Sequence, residues 1–418
     1  MPQGRVLHAR LTSALAWASL LHVWNDGLTA ALTALLPFVA RDLHLDYARA
    51  ALLRSAHIAA LSGAQIPLAG LAATVGDTAV LGAGLVWFGT AIILFGSAAT
   101  FALALLWGAL AGAGAGAFHP IGTHQISAMA DPRSRGRALG VLNFAGDVGK
   151  FAFPAAAGAV AAFAGWRASL VTVGGSAAVL GVIYMRARGL AGAGTPPRNT
   201  RHAGDPRPDG EPGPARTAGG TAHRLGVRDP WPFAVMSIIA VLDQAGRAVA
   251  MTFLPFLLVA RGFGEAAVGV MFALLLVGGG IGKLICGWLT DAVGERPVIV
   301  VTEIAMAAGL IGLLGVRGHA ALAGYLVLLG VLVNGTSSAL NTGVAAFVDS
   351  ARGSRAYGIY FTCTFASSAL APAIGGMIAN RSGLDAVFVA FALGTLLVPP
   401  MTFLLPRKTP TTDAAGRR

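Results

Sequence analysis

Three pairs of ionisable side chains lie inside long apolar stretches of this sequence, with the members of each pair one helical turn apart: His22 with Asp26, Asp147 with Lys150, and Asp243 with Arg247. A charge near the centre of a lipid bilayer costs about 2.5–3.5 kcal/mol on insertion scales. Side chains three or four positions apart share a helix face and can neutralise each other. Each pair is therefore either a structural ion pair or a site that opens to hold a proton or a charged substrate.

A carboxylate beside an imidazole is well suited to proton exchange, because each group influences whether the other holds a proton. We therefore predict proton coupling at Asp26 and His22, and regard Asp147 and Asp243 as further proton-coupling candidates. The alternative for Asp26 is a packing or hydrogen-bonding role.

The remaining polar residues of the apolar stretches have two open interpretations, substrate binding or hydrogen bonding between helices. Lys150 and Arg247 are predicted to contact the substrate, and Lys283 and Glu303 are predicted to pair with each other. Six uncharged or weakly basic residues complete the predicted substrate site: Asn25, His119, Asn143, Gln244, Asn334 and Asn341.

The composition places the chain in a membrane. Of its 418 residues, 55% are hydrophobic and 11% are charged, and the mean hydropathy is +0.70. A soluble domain has about 25% charged residues. Apolar stretches of about 20 residues recur, each long enough to cross the hydrocarbon core. Uninterrupted apolar runs without alternation favour helices over a barrel. We predict an all-α membrane protein of twelve transmembrane helices.

The predicted helices form two groups of six. The first six are expected over 12–39, 50–73, 79–98, 100–129, 137–162 and 167–186. The second six are expected over 231–259, 266–289, 297–315, 319–348, 356–379 and 384–405. The predicted domains are a bundle over 1–187, a disordered linker rich in Pro, Gly and charge over 188–229, a second bundle over 230–406, and a tail over 407–418.

Charge orients these spans. Most of the 30 Lys and Arg residues fall in segments that lie on one side if both termini are cytoplasmic. The net charge of +12 therefore reflects topology, and we expect no nucleic-acid partner. The expected location is the bacterial cytoplasmic (inner) membrane.

The two halves repeat one another at a constant offset of 218 positions. The offset relates Asn25 to Asp243 in the first span of each half. It also relates residues in and just before the fifth span of each half: Asp131, Gly140, Pro154 and Gly158 recur as Asp349, Gly358, Pro372 and Gly376. Parallel duplication of six helices is typical of secondary transporters that bind substrate between the halves.

The chain resembles the major facilitator superfamily through the segment "GWLTDAVGERP" between the second and third helices of the second half. This resemblance implies a conformational latch made by Gly287, Asp291, Gly294 and Arg296. The corresponding first-half segment, "AGLAATVGDTAV", lacks the basic residue. Family members usually act as monomers, and we expect the same here.

Within that superfamily the first half is similar to the fosmidomycin-resistance group of bacterial efflux proteins. The similar segments are "HVWND", "GAFHP" and "NFAGDVGKFAFP". Asp147 and Lys150 stand where that group usually has uncharged residues, a departure that concerns the substrate.

We therefore expect a proton-coupled exporter of a small organic or drug-like compound, working by alternating access. The alternative is a transporter of a small anionic metabolite, such as a carboxylate or phosphonate, held by Lys150 and Arg247. The expected partners are this substrate, protons and the lipid bilayer. We expect no enzyme activity and no cofactor. We also expect no dedicated metal site, because the histidines form no short ligand motif.

Overall fold

The computed structural model describes residues 2–131, 134–190, 226–349 and 354–406, which are almost entirely helical. In the first half the helices are α1 (Pro2–Asp42), α2 (Tyr47–Val75), α3 (Asp77–Gly96), α4 (Phe101–Ala115), α5 (Phe118–Met129) and α6 (Arg135–Leu190). In the second half they are α7 (Pro230–Ala260), α8 (Glu265–Val293), α9 (Glu295–Gly315), α10 (His319–Ala345), α11 (Ser354–Ser382), α12 (Leu384–Thr395) and α13 (Val398–Thr402).

These helices confirm the predicted fold class. Within the described residues, eleven helical stretches are long and apolar enough to cross a membrane, and α4–α5 and α12–α13 each count as one stretch. The longest stretch, α6, is divided at Gly165, whose φ of 80° interrupts the helix. Its two arms are separate spans, which gives the twelve predicted. Helix α6 extends to Leu190, into the predicted linker. Most of the linker and the predicted tail over 407–418 lie outside the described residues.

The fourth predicted span, 100–129, is not one continuous helix. Helix α4 ends at Ala115 and α5 begins at Phe118. Pro120 has no backbone N–H to donate to the carbonyl of Gly116, which removes a hydrogen bond where the helix breaks. The break places His119 in the first turn of α5.

The internal repeat is also present in the backbone. Positive φ angles occur at three related pairs of turns, each 218 positions apart: His44 with Gly262, Gly76 with Gly294, and Gly165 with Gly383. Because few side chains tolerate this conformation, its recurrence at one offset indicates that the two halves turn at the same places.

The halves meet along two helix pairs, α6 with α8 and α2 with α11. We call the side on which α1 and α7 begin the terminal side, and the other the distal side. Near the distal side the halves are in close contact. A Cβ at Gly158 would meet the backbone of Glu265 and Gly269, and one at Gly376 would meet Tyr47 and Ala48.

Polar contacts reinforce this distal closure. The backbone N–H of Tyr47 donates to Asn380 Oδ1 over 3.0 Å, and Arg41 lies 3.4 Å from Glu265.

Toward the terminal side the halves separate. Gly140 lies 18 residues before Gly158 on α6, which is about five turns at 3.6 residues per turn, so both face the second half. The repeat-related Gly358 and Gly376 are arranged in the same way on α11. A Cβ at Gly140 or Gly358 would meet no atom of the described residues within 4 Å. Within the described part of the chain, the interface is therefore a crevice that is open at the terminal side and closed at the distal side.

Candidate functional site

A row of alternating charges crosses the interface at mid-height, between the open and closed ends of α6. Lys150 Nζ lies 3.0 Å from Asp26 Oδ2 and 3.1 Å from Asp147 Oδ1. Lys283 Nζ of the second half donates to both oxygens of Asp147, over 2.8 and 3.0 Å. We call Asp26, Lys150, Asp147 and Lys283 the ionic row. It joins α1 and α6 of the first half to α8 of the second.

The ionic row corrects one prediction. Lys283 does not pair with Glu303, because α8 turns the lysine toward the other half. The predicted contact between Asp147 and Lys150 is present, but it is one link of a longer row. Asp147 therefore also joins the two halves.

His22, Asp26 and His119 form a compact group beside the ionic row, which we call the His–Asp–His cluster. His22 Nε2 lies 3.2 Å from Asp26 Oδ2, and His119 Nε2 lies 3.5 Å from Asp26 Oδ1. His22 Nδ1 lies 2.8 Å from the carbonyl oxygen of Leu142. A carbonyl only accepts, so Nδ1 carries the proton that makes this bond. Nε2 of a neutral His22 therefore faces a carboxylate oxygen with a lone pair, an arrangement that a proton or another cation between the two atoms would stabilise.

Two glycines of α6 allow α1 to approach closely enough for these contacts. A Cβ at Gly149 would overlap the carbonyl of Val23. A Cβ at Gly146 would lie 2.5 Å from His22 Nε2 and 2.8 Å from Asp26 Oδ2. Small residues at helix crossings permit such approach in membranes. The glycines around Asp147 therefore shape the site.

The second half has a carboxyl cluster of its own. Asp243 is paired with Arg247 on α7. Glu303 of α9 lies beside Asp243, Arg247 and Thr336. Asp243 is 1% exposed and Glu303 0%. Neither oxygen of Glu303 accepts a hydrogen bond of ordinary geometry within the described structure. Two buried carboxyl groups thus lie near one guanidinium, which pairs with Asp243.

Sequence reasoning missed Glu303 as a site residue. An acidic residue in the apolar segment "VTEIAMAAG" was a signal. Its partner depends on the rotation of α7 against α9, which spacing does not reveal.

The predicted uncharged residues are divided between the site and other places. Asn25 is buried next to Asp26, with Nδ2 3.4 Å from its Oδ1. Asn143 is exposed one turn before Asp147, on the crevice face of α6. Gln244 donates to Ser368 Oγ on α11.

Two of the predicted asparagines do not join the clusters. Asn334 is buried between α8 and α10 against Gly279, within the second half. It makes the helix-packing contact that was the alternative interpretation. Asn341 is exposed, two turns further along α10.

Arg54 was not among the predicted site residues. One guanidinium nitrogen lies 3.5 Å from the carbonyl oxygen of Ala248 in the second half. Its Nε has no hydrogen-bond partner, and no carboxylate of the described residues pairs with it. Arg54 lines a narrow cavity together with Thr33 and His57.

The predicted latch residues lie at the terminal ends of α8 and α9. Gly294 forms the turn between them with a φ of 87°, and Asp291 is exposed. Arg296 donates to the carbonyls of Leu405 and Pro406, over 2.5 and 3.2 Å. The arginine is therefore occupied within its own half, as expected where the terminal side is open.

The sequence matches the model of the Major Facilitator Superfamily over residues 15–241 and 236–418. No curated protein sequence matches the chain. Its structure is similar to that of a bacterial homologue of the human lysosomal transporter Spinster. For the inward-facing, unoccupied form the TM-score is 0.79 at 16% identity, over 94% of this chain and 96% of the other.

The occupied, inward-facing form of the same homologue gives a TM-score of 0.75 at 16% identity, over 94% of this chain and 96% of the other. A mutant of the nucleoside transporter NupG gives 0.74 at 14% identity, over 94% of this chain and 100% of that one. At such identities the likeness concerns the fold.

Proposed function

The chain belongs to the major facilitator superfamily, and on that basis we propose that it is a proton-coupled transporter that exports a small organic compound. Its neighbours in fold are transporters. Two duplicated bundles with a crevice open at one end support alternating access. A single chain supplies both walls of the crevice, which supports a monomer.

Export is supported by the proposed orientation together with a sequence resemblance. The excess of Lys and Arg on the terminal side supports a cytoplasmic location for that side, in the inner membrane of a bacterium. The crevice then opens toward the cytoplasm, where an exporter loads its substrate. The resemblance of the first half to the fosmidomycin-resistance group supports export as well.

The observation that supports proton coupling is the burial of two neighbouring carboxyl groups, Asp243 and Glu303, near the single guanidinium of Arg247, which pairs with Asp243 and leaves both oxygens of Glu303 without a hydrogen bond among the described residues. With both carboxyl groups ionised, one negative charge would be uncompensated inside the protein, at a high cost. One shared proton removes this charge and supplies the donor that the pair lacks. Uptake of that proton in the distal-open state, and its release in the terminal-open state when substrate binds, would couple export to an inward proton gradient.

The ionic row contains two carboxylates and two lysines, so it has no net positive charge that would favour an anionic substrate. Each lysine of the row already lies against a carboxylate, so an incoming anion would have to compete with Asp26 and Asp147. We propose that Asp147, which joins the two halves, binds the substrate rather than the coupled proton. Lys150 and His119, with 37% and 41% of their side chains exposed, are reached from the crevice.

This proposal is tested by transport in proteoliposomes loaded with ethidium, a cationic probe. An imposed pH gradient is expected to drive ethidium against its concentration gradient, and a protonophore is expected to stop it. Glu303→Gln removes the shared proton and is expected to abolish the response to the gradient. Asp385→Asn, at an exposed acid in the first turn of α12, is the matched control and is expected to retain it.

Ethidium movement that ignores both the pH gradient and Glu303→Gln would contradict proton coupling. Absence of movement with ethidium and with a panel of uncharged toxic compounds would contradict the substrate class.

The second candidate function, transport of an anionic metabolite, is favoured by Arg54. A partly buried guanidinium without a carboxylate partner among the described residues is a natural contact for a substrate carboxylate. Exchange of a labelled organic acid, lost in Arg54→Gln and in Lys150→Ala, would support this function over the first.

A further inference from the structure

We propose that His22, Asp26 and His119 bind a divalent first-row transition-metal cation of the Zn²⁺ type. One ligand atom from each residue lies within 4.8 Å of the other two. The distances from the carboxylate oxygens of Asp26 to the imidazole nitrogens are 3.2 and 3.5 Å. Ligand atoms held at about 2.0–2.1 Å in a tetrahedral zinc site lie roughly 3.4 Å apart. A cation therefore fits among these atoms with small side-chain movements.

The surroundings of His22 match those of a metal ligand. Its Nδ1–H donates to the carbonyl of Leu142, which fixes the tautomer and points the Nε2 lone pair at Asp26. Metal-bound histidines nearly always make such an outer hydrogen bond. Among the described residues, His22 Nε2 and Asp26 Oδ2 are both buried and make no hydrogen bond of regular geometry. His22 Nε2 faces Asp26 Oδ2, whose other close neighbour is the ammonium group of Lys150.

Gly146 leaves the space that the cation would use. A Cβ there would crowd both His22 Nε2 and Asp26 Oδ2. Any larger residue on this turn of α6 would fill the position between the two ligands. The glycine is thus as specific for the proposed site as the ligands are.

The entrance and the fourth coordination position lie on the crevice side. His119 is 41% exposed there, whereas Asp26 is 5% exposed. Lys150 is the group a cation must displace, because its Nζ lies 3.0 Å from Asp26 Oδ2. Lys150 keeps a second carboxylate, Asp147, at 3.1 Å. The lysine therefore has an alternative partner when a cation takes its place.

The ligand types select the metal. Two imidazoles and one carboxylate suit Zn²⁺, Co²⁺ or Ni²⁺, whereas Ca²⁺ and Mg²⁺ require oxygen ligands. This proposal replaces the sequence-based expectation of no metal site. Its ligands come from α1 and α5, which are far apart in the chain, so no short motif announces them.

Titration of the purified, untagged, full-length protein with Co²⁺ tests the site, because cobalt gives visible absorption bands that report its coordination. We expect one Co²⁺ per chain, displaced by Zn²⁺. His119→Gln and Asp26→Asn each remove a ligand and are expected to weaken binding by about tenfold or more. His124→Gln, at an exposed histidine of the same helix, is the matched control and is expected to leave the affinity unchanged.

Two further measurements guard against variants that merely misfold. Zinc-edge X-ray absorption of the unmodified protein is expected to show two imidazole ligands per metal. Lys150→Gln removes the competing cation and is expected to tighten Co²⁺ binding, an effect that a misfolded protein would not give.

Absence of stoichiometric Co²⁺ binding, or of imidazole in the zinc spectrum, would overturn the proposal. Binding that survives His119→Gln but is lost in His124→Gln, or that weakens in Lys150→Gln, would also overturn it. None of these assays uses a proton gradient or an organic substrate, so the proposed transport function stands or fails separately.

Discussion

The two halves of the molecule contain the same interhelical contact made with different chemistry. In the first half, Asp26 of α1 lies 3.0 Å from Lys150 of α6. In the second half, Gln244 of α7 donates to Ser368 of α11. Both residues of the second pair lie 218 positions after those of the first. The duplicated scaffold therefore fixes which positions meet, while each half has its own assignment of charge.

At the carboxyl cluster the charged residues lie in the second half, and their counterparts in the first half are uncharged. Glu303 corresponds to Leu85, and Arg247 corresponds to Thr29, whose hydroxyl lies 3.4 Å from His57 Nε2. The second half thus contains two buried carboxyl groups, for which we propose a shared proton, and the first half contains the proposed ligands of a cation. On these proposals, the two halves have different roles in coupling.

The largest effect on transport is expected from Glu303→Leu, which gives the second half the residue found at the corresponding position of the first half, Leu85. The remaining Asp243–Arg247 pair is neutral by itself, so the melting temperature in detergent is expected to stay the same or rise. Export driven by the pH gradient is expected to fall by about tenfold or more, because no shared proton remains. Parallel melting and transport measurements check this. A large fall in melting temperature would mean that Glu303 is structural.

The converse exchange, Asp26→Gln with Lys150→Ser, gives the first half the neutral pair of the second. Each single variant removes the Asp26–Lys150 ion pair and leaves the remaining charge with weaker partners, which is expected to destabilise the protein by about 1–3 kcal/mol. This is less than for a fully buried pair because Lys150 is 37% exposed.

The double variant is expected to be more stable than either single variant, and to lose binding of the exported probe. Denaturation of all four proteins completes the double-mutant cycle. Additive losses would show that Asp26 and Lys150 do not interact.

The two ends of the interface provide another matched pair, Gly140→Leu and Gly158→Leu. Leucine at Gly140 enters the open crevice and is expected to leave the melting temperature unchanged while stopping transport, because the terminal side can no longer close. Leucine at Gly158 collides with the backbone of α8 and is expected to lower the melting temperature by several degrees. Cross-linking of cysteines placed across the terminal side reports closure. Normal transport by Gly140→Leu would contradict the proposed motion.

The sequence predicted those features that depend on a single helix, such as its position in the chain and the contacts along one of its faces. Hydropathy located the spans, and the offset of 218 identified the duplication, because both are properties of the order of residues. The contacts within α1, α6 and α7 followed from their spacing of three or four. The predicted pairing of Lys283 with Glu303 was wrong, because a contact between two helices depends on their rotation and tilt. The contact of His119 with the predicted His22–Asp26 pair was missed for the same reason, and the break before His119 was hidden in an apolar run.

The smallest effect is expected at the predicted latch, where Arg296 makes hydrogen bonds and Asp291 is exposed. Arg296 donates to the carbonyls of Leu405 and Pro406, just after α13. Arg296→Ala is therefore expected to lower the free energy of unfolding by about 0.5–1 kcal/mol. Asp291 is exposed, and Asp291→Ala is expected to leave the melting temperature unchanged. Both variants are expected to slow transport if the two side chains engage only when the terminal side is closed. If both variants change stability equally and leave transport unaffected, this loop only connects two helices and is not a latch.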